Sequence, residues 1–116
     1  MVNDPDLPGF CRVIWNRHVP EMSDLTYGER EHIMSLVFAV EEVIREVMEP
    51  DKVNLATLGN MVPHIHWHVI PRYQDDAYFP GSPWSAKVRE TSKASLEARR
   101  LLAKRLPEVI RDAISQ

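Results

Sequence analysis

The chain has 116 residues, of which 44% are hydrophobic and 27% charged, the size and balance of one ordinary soluble globular domain. Its formal net charge of -3 argues against a nucleic-acid polymer as partner, because polyanion binders carry a basic stripe, but it is compatible with one small phosphate ligand held by local donors. The lone Cys11 excludes an intrachain disulfide. No apolar run reaches the roughly 20 residues a bilayer requires, and residues 1–8 are too polar and acidic for a signal peptide, so a cytoplasmic protein with no membrane partner is expected.

Taken in chain order, residues 10–15 read as a short strand around the β-branched Val13 and Ile14. A connecting loop, residues 16–24, carries His18 and Pro20. Thr26 followed by Glu29 is a capping-box pattern. Ile33, Leu36, Val37, Val40, Val43, Ile44 and Val47 then recur at helical spacing, predicting a helix over residues 28–48 that ends at Pro50. A second strand is expected over residues 52–58, a turn over 59–63 and a third strand over 64–72. Residues 73–90, with their prolines and aromatic side chains, read as an irregular loop long enough to suggest a functional or interface role. Residues 93–114 read as a helix that Pro107 should kink or split. This order predicts an α+β fold, an antiparallel meander with the long helix and a C-terminal helix packed on one side. Residues 1–116 are expected to form a single domain. Three strands make a narrow sheet and a small domain has a thin core, so pairing in a homodimer is expected to extend it.

The densest chemistry lies in His64-Ile65-His66-Trp67-His68-Val69-Ile70. Side chains alternate along a strand, so a regular strand would aim His64, His66 and His68 at one face and Ile65, Trp67 and Val69 at the core. Imidazoles on one face need partners if buried, which makes a purely structural origin for three of them improbable. One chemistry is metal binding: two such rings can share a zinc ion at about 2.0–2.1 Å. The first and last Cα atoms of the row would however lie roughly 13 Å apart, and Asp75 and Asp76, the nearest further ligands, fall beyond Pro71. The other chemistry is nucleophilic catalysis by the middle ring, since neutral imidazole is available near pH 7 and forms covalent intermediates. Phosphorus suits it, because phosphoryl transfer depends mainly on positioning and electrostatics.

This row resembles the signature of the histidine-triad (HIT) family, His-X-His-X-His-X-X with X apolar. The stretch from Val53 to Pro63 before it, Pro71-Arg72 after it, and the segment from Pro8 to His18 are also similar to bacterial members, so the resemblance runs from about residue 4 to residue 84. It implies an α+β meander, usually dimeric, that hydrolyses or transfers a nucleoside monophosphate from a dinucleoside polyphosphate or a nucleoside phosphoramidate. No cofactor is implied as obligatory, though a divalent metal can accompany the substrate. His66 matches the attacking position, His68 the ring that contacts phosphate oxygens, and His64 the first ring, which supports the geometry. His18 matches an upstream histidine near the site, Asn54 a polar phosphate-side position, and Asn60 a position where several branches carry Gln. Two departures stand out. Met61 occupies a place where well-known branches carry a hydroxyl that assists the leaving group. Family members also usually begin with additional strands that help cover the base and ribose; here that part is short or missing, and the expectation is that either the start is truncated or the nucleoside pocket is completed differently.

Other residues have plainer readings. Arg72 fits a phosphate contact or a surface salt bridge equally well. Trp84 is expected at a dimer interface more than on a base, His32 on a solvated helix face, and Cys11 as a small strand residue. Two competing functions are a non-catalytic nucleotide-binding module and a metal-dependent hydrolase that uses the histidine cluster.

Overall fold

Thr26 and Glu29 start the first helix as their spacing predicts: the Thr26 side chain accepts from the Glu29 N–H at 3.2 Å, and Glu29 Oε1 accepts from the Thr26 N–H at 2.8 Å. In the computed structural model, which describes residues 1–115, this helix α1 spans Tyr27–Met48 and buries Ile33, Val37, Val40, Val43, Ile44 and Val47. Glu49 closes it in the left-handed conformation, at φ 47°, immediately before Pro50.

The strands are β1 (Cys11–Ile14), β2 (Lys52–Ala56) and β3 (His66–Arg72). They form one antiparallel sheet in the order β1-β3-β2, so the histidine-bearing strand is central. Register pairs Arg12 with His68 and Ile14 with His66 on one side, and Ala56 with His68 and Asn54 with Ile70 on the other. Alternation then divides the sheet. Val13, Trp67, Val69, Val53 and Leu55 pack against the core built on α1, while Arg12, Ile14, His66, His68 and Asn54 share the opposite face. Burying a side chain such as Val69 contributes roughly 1.5–3 kcal/mol, so a one-residue slip of β3, which would invert both faces, is strongly disfavoured.

All three strands are shorter than the sequence predicts. The third starts at His66, not at residue 64, so the row of three is not one regular strand. His64 lies in a bend, its N–H bonded to the Val62 carbonyl at 2.8 Å. Ile65 exchanges backbone bonds with Val19 and Trp15 (2.9 and 3.1 Å), and its side chain enters a second apolar cluster with Val19, Leu25 and Ile33.

The predicted C-terminal helix is two helices, α2 (Lys93–Ala103) and α3 (Leu106–Ile114). The break falls at Lys104 and Arg105, before Pro107. Proline lacks an N–H and is tolerated in the first turn of a helix, where that donor has no partner in any case. Pro107 therefore sits in the first turn of α3. Both helices pack on α1, on the side of the sheet away from the histidines. Among the described residues no helix is long and apolar enough to cross a membrane.

Candidate functional site

The face of the sheet opposite α1 carries a cleft of about 670 Å³ whose wall includes His64, His66, His68, Arg12, Asn60 and Trp84. The residues 58–62, including Met61 at 96% exposure, form its apolar rim. Gly59 turns this rim at φ 70°, a conformation that favours glycine, and Thr57 ties it to β3 by donating its hydroxyl to the His66 carbonyl at 2.7 Å.

Hydrogen bonds assign the tautomers. A carbonyl can only accept, so the 2.6 Å contact between His66 Nδ1 and the His64 carbonyl places the His66 proton on Nδ1. In the neutral ring Nε2 then holds a lone pair, and no protein group engages that atom among the described residues. His64 Nε2 donates to the Trp15 carbonyl, which leaves its Nδ1 to accept from His18 Nδ1 at 3.2 Å. His18 and His64 therefore support one another, and His64 in turn orients His66 through its backbone.

His68 is 8% exposed. Its ring is edge-on to Phe10, His66 and Trp84, with centroids 5.4, 5.0 and 5.0 Å away. Burial, followed by the nearby His66 and Arg12, pushes its pKa below the ordinary 6.5, so near neutral pH this ring is uncharged. Its Nδ1 is buried with no protein partner.

Of the other predicted residues, Asn60 lines the cleft and His18 stands behind His64. Asn54 shares the histidine face but lines the adjoining groove, and its Oδ1 accepts from Arg72 at 2.7 Å. Arg72 is neither a phosphate contact nor a surface ion pair. It is 2% exposed and bonded to the buried carboxylate of Asp76 at 2.8 and 3.1 Å and to the Gly81 carbonyl at 2.8 Å. Asp76 also accepts from the backbone N–H groups of Tyr73, Tyr78 and Phe79. Arg89 donates to the carbonyls of Asp76 and Phe79, both at 2.7 Å. This hub ties together residues 73–89, and Trp84 from the same loop packs edge-on against His68. Cys11 is buried, and desolvation raises its thiol pKa to about 11, which removes it as a nucleophile near neutral pH. Arg12 was missed as a site residue. The signal was its place one residue before Val13: the alternation that turns Val13 to the core turns Arg12 to the histidine face.

No group of three or more His, Cys, Asp or Glu side chains among the described residues is arranged to hold one metal ion. The fold and site thus define a class: an α+β domain with an imidazole-lined cleft on the free face of an antiparallel sheet, and one ring oriented through its Nδ1. The HIT domain family model matches residues 1–75, and the chain belongs to that family. A bis(5'-nucleosyl)-tetraphosphatase (asymmetrical) of Schizosaccharomyces pombe is 38% identical over 77 residues, 62% of this chain and 42% of the relative. An AP-4-A phosphorylase of Mycobacterium tuberculosis is 34% identical over 105 residues, 85% of this chain and 53% of the relative. The chain thus spans about half the length of these curated relatives. A solved histidine triad protein from Marinobacter aquaeolei superposes with a TM-score of 0.77 at 26% identity, covering 97% of this chain and 81% of that one.

Proposed function

We propose that this protein cleaves a dinucleoside polyphosphate or related nucleotide conjugate at the α-phosphorus through a nucleotidyl-histidine intermediate. The observation that carries this reading is the Nδ1–H of His66 donated to the His64 carbonyl, which leaves Nε2 with the lone pair a nucleophile needs. The relatives named as a tetraphosphatase and a phosphorylase of nucleotide polyphosphates support the substrate class.

In the proposed cycle His66 Nε2 forms a bond to the α-phosphorus as the bond from phosphorus to the bridging oxygen breaks. The electron pair leaves with that oxygen, on the departing phosphate chain. The positive charge that develops on the imidazole is stabilised by the Nδ1–H bond to the His64 carbonyl, much as an orienting acceptor serves the histidine of a catalytic triad. Water then adds to phosphorus, the N–P bond breaks, the proton passes to solvent, and the nucleoside monophosphate is released. His68, held neutral, offers hydrogen bonding to the phosphate without repelling a protonated neighbour. Asn60 and Trp84 wall the site, and His18 fixes His64.

The test is turnover of diadenosine tetraphosphate by the native protein and by His66→Ala, with intact-mass measurement of the quenched reaction. Native protein should release adenosine monophosphate and show a transient nucleotidyl adduct. His66→Ala should show no adduct and lose roughly 10⁴-fold or more in rate, as for removal of other nucleophiles. Binding of the nucleotide with no product from native protein would instead favour a non-catalytic binding module.

A further inference from the structure

Among the described residues that line the cleft, Arg12 is the one permanent cation and none is a carboxylate. Arg12 lies on β1, directly across from His68 in the sheet and two residues along from Ile14, which faces His66. It is exposed and makes no ion pair or side-chain hydrogen bond among the described residues. Other basic residues, such as Arg45, Lys52 and Arg111, are also without such partners, but none of them lines this cleft. Arg17, Arg72, Arg99, Arg100 and Lys87 each hold a carboxylate.

Charged residues on an edge strand often serve only to deter pairing with another sheet. Arg12 differs in where its side chain goes. It borders an apolar-rimmed cleft beside a nearly buried imidazole, and its charge reaches that imidazole, helping to hold His68 neutral. A guanidinium in such a place is a ready seat for phosphate oxygens, which it binds by paired N–H donors. Two residues along a strand amount to about 7 Å, so the side chain is offset from His66 along the sheet. That offset suits the phosphates next in line after the one attacked at His66.

We propose that Arg12 binds the distal phosphates of the substrate and makes the site selective for anionic leaving groups over neutral ones. With Met61 at the rim unable to donate a hydrogen bond, Arg12 is the group that compensates the charge gathering on a departing phosphate chain. This inference rests on the cleavage reading above and assigns its leaving-group preference.

The experiment compares native protein, Arg12→Ala and Arg12→Lys on two substrates: diadenosine tetraphosphate, and an adenosine phosphoramidate whose leaving group is a neutral amine. Arg12→Ala should lose about 10- to 100-fold in kcat/KM on the tetraphosphate, the scale of losing one charge-assisted contact. It should change less than about threefold on the phosphoramidate, and Arg12→Lys should recover part of the loss. An equal loss on both substrates would place Arg12 at the α-phosphate and overturn the proposal, as would no loss on either. A calorimetric titration with inorganic tripolyphosphate reads the same seat without turnover. Weaker binding by Arg12→Ala supports the proposal even if native protein cleaves neither substrate, a result that would defeat the cleavage reading alone. Equal tripolyphosphate binding by native protein and Arg12→Ala overturns it.

Discussion

Arg72 donates to two oxygens of Asp76, to Asn54 and to the Gly81 carbonyl, which engages most of the five N–H groups a guanidinium has. Both members of the ion pair are almost fully enclosed, with side chains 3% and 1% exposed. Removing one partner of such a pair strands a buried charge and its hydrogen bonds, at a cost of about 3–5 kcal/mol. Arg72→Ala is therefore expected to lower unfolding free energy by that amount in urea denaturation. A loss under 1 kcal/mol would mean that water enters and takes the place of the guanidinium beside Asp76. The pair also explains why the site was only partly legible in the sequence. Local alternation sufficed to place His66 and His68 on one face, and it would have placed Arg12 there too. It said nothing of Arg72, because the carboxylate that claims this side chain lies beyond Pro71 in an irregular loop with no periodicity to read. The same loop carries Trp84 edge-on to His68, a contact invisible to spacing arguments.

At the scale of elements, the readable parts were those with strong local chemistry. The capping box and apolar stripe of α1 gave its limits to within a residue, since an N-cap and a 3.6-residue period are both local properties. Strand ends were less legible because they depend on partners: Leu58 would extend β2, but the chain there turns away to form the cleft rim. His64 leaves the strand because its ring and backbone bond elsewhere, to Trp15, His18 and Val62. Pro107 was expected to kink or split the last helix, and the position of the split follows from proline's preference for a first turn. The C-terminal end of α1 carries a local conflict. Glu49 adopts φ 47°, a left-handed conformation that costs a residue with a Cβ roughly 1–2 kcal/mol and glycine almost nothing. Glu49→Gly is expected to raise stability by about 0.5–1 kcal/mol, part of the relief being offset by glycine's greater freedom in the unfolded chain. Thermal unfolding would register it as a higher Tm. A lower Tm would show that the Glu49 side chain contributes more than its backbone strain costs.

Over the whole molecule, two groups that organise the histidine face also tie its stability to pH. His68 is held below its ordinary pKa of 6.5, by burial first and then by His66 and Arg12. As pH falls through about 6.5 the unfolded chain takes up a proton there and the folded chain does not, so folding loses free energy until folded His68 is itself protonated. Asp76 acts in the same direction at lower pH. Burial alone would raise its pKa, but the Arg72 bond and the N–H groups of Tyr78, Tyr73 and Phe79 outweigh burial and hold it below the ordinary 3.8. Its contribution is complete above 3.8 and is lost as pH falls toward the folded-state value. Each differential proton changes stability by at most about 1.4 kcal/mol per pH unit, and the first loss begins near the ordinary pKa of 6.5 and the second near 3.8. Urea midpoints measured from pH 7.5 to 3 should begin to fall below 6.5 and take up a further loss below 4. His68→Gln cannot take up the proton, so it should flatten the first fall relative to native protein and leave the second in place. Parallel curves for both proteins between pH 7 and 5 would mean that His68 titrates alike in the folded and unfolded chains, and that its enclosure by Phe10, His66 and Trp84 is not maintained in solution.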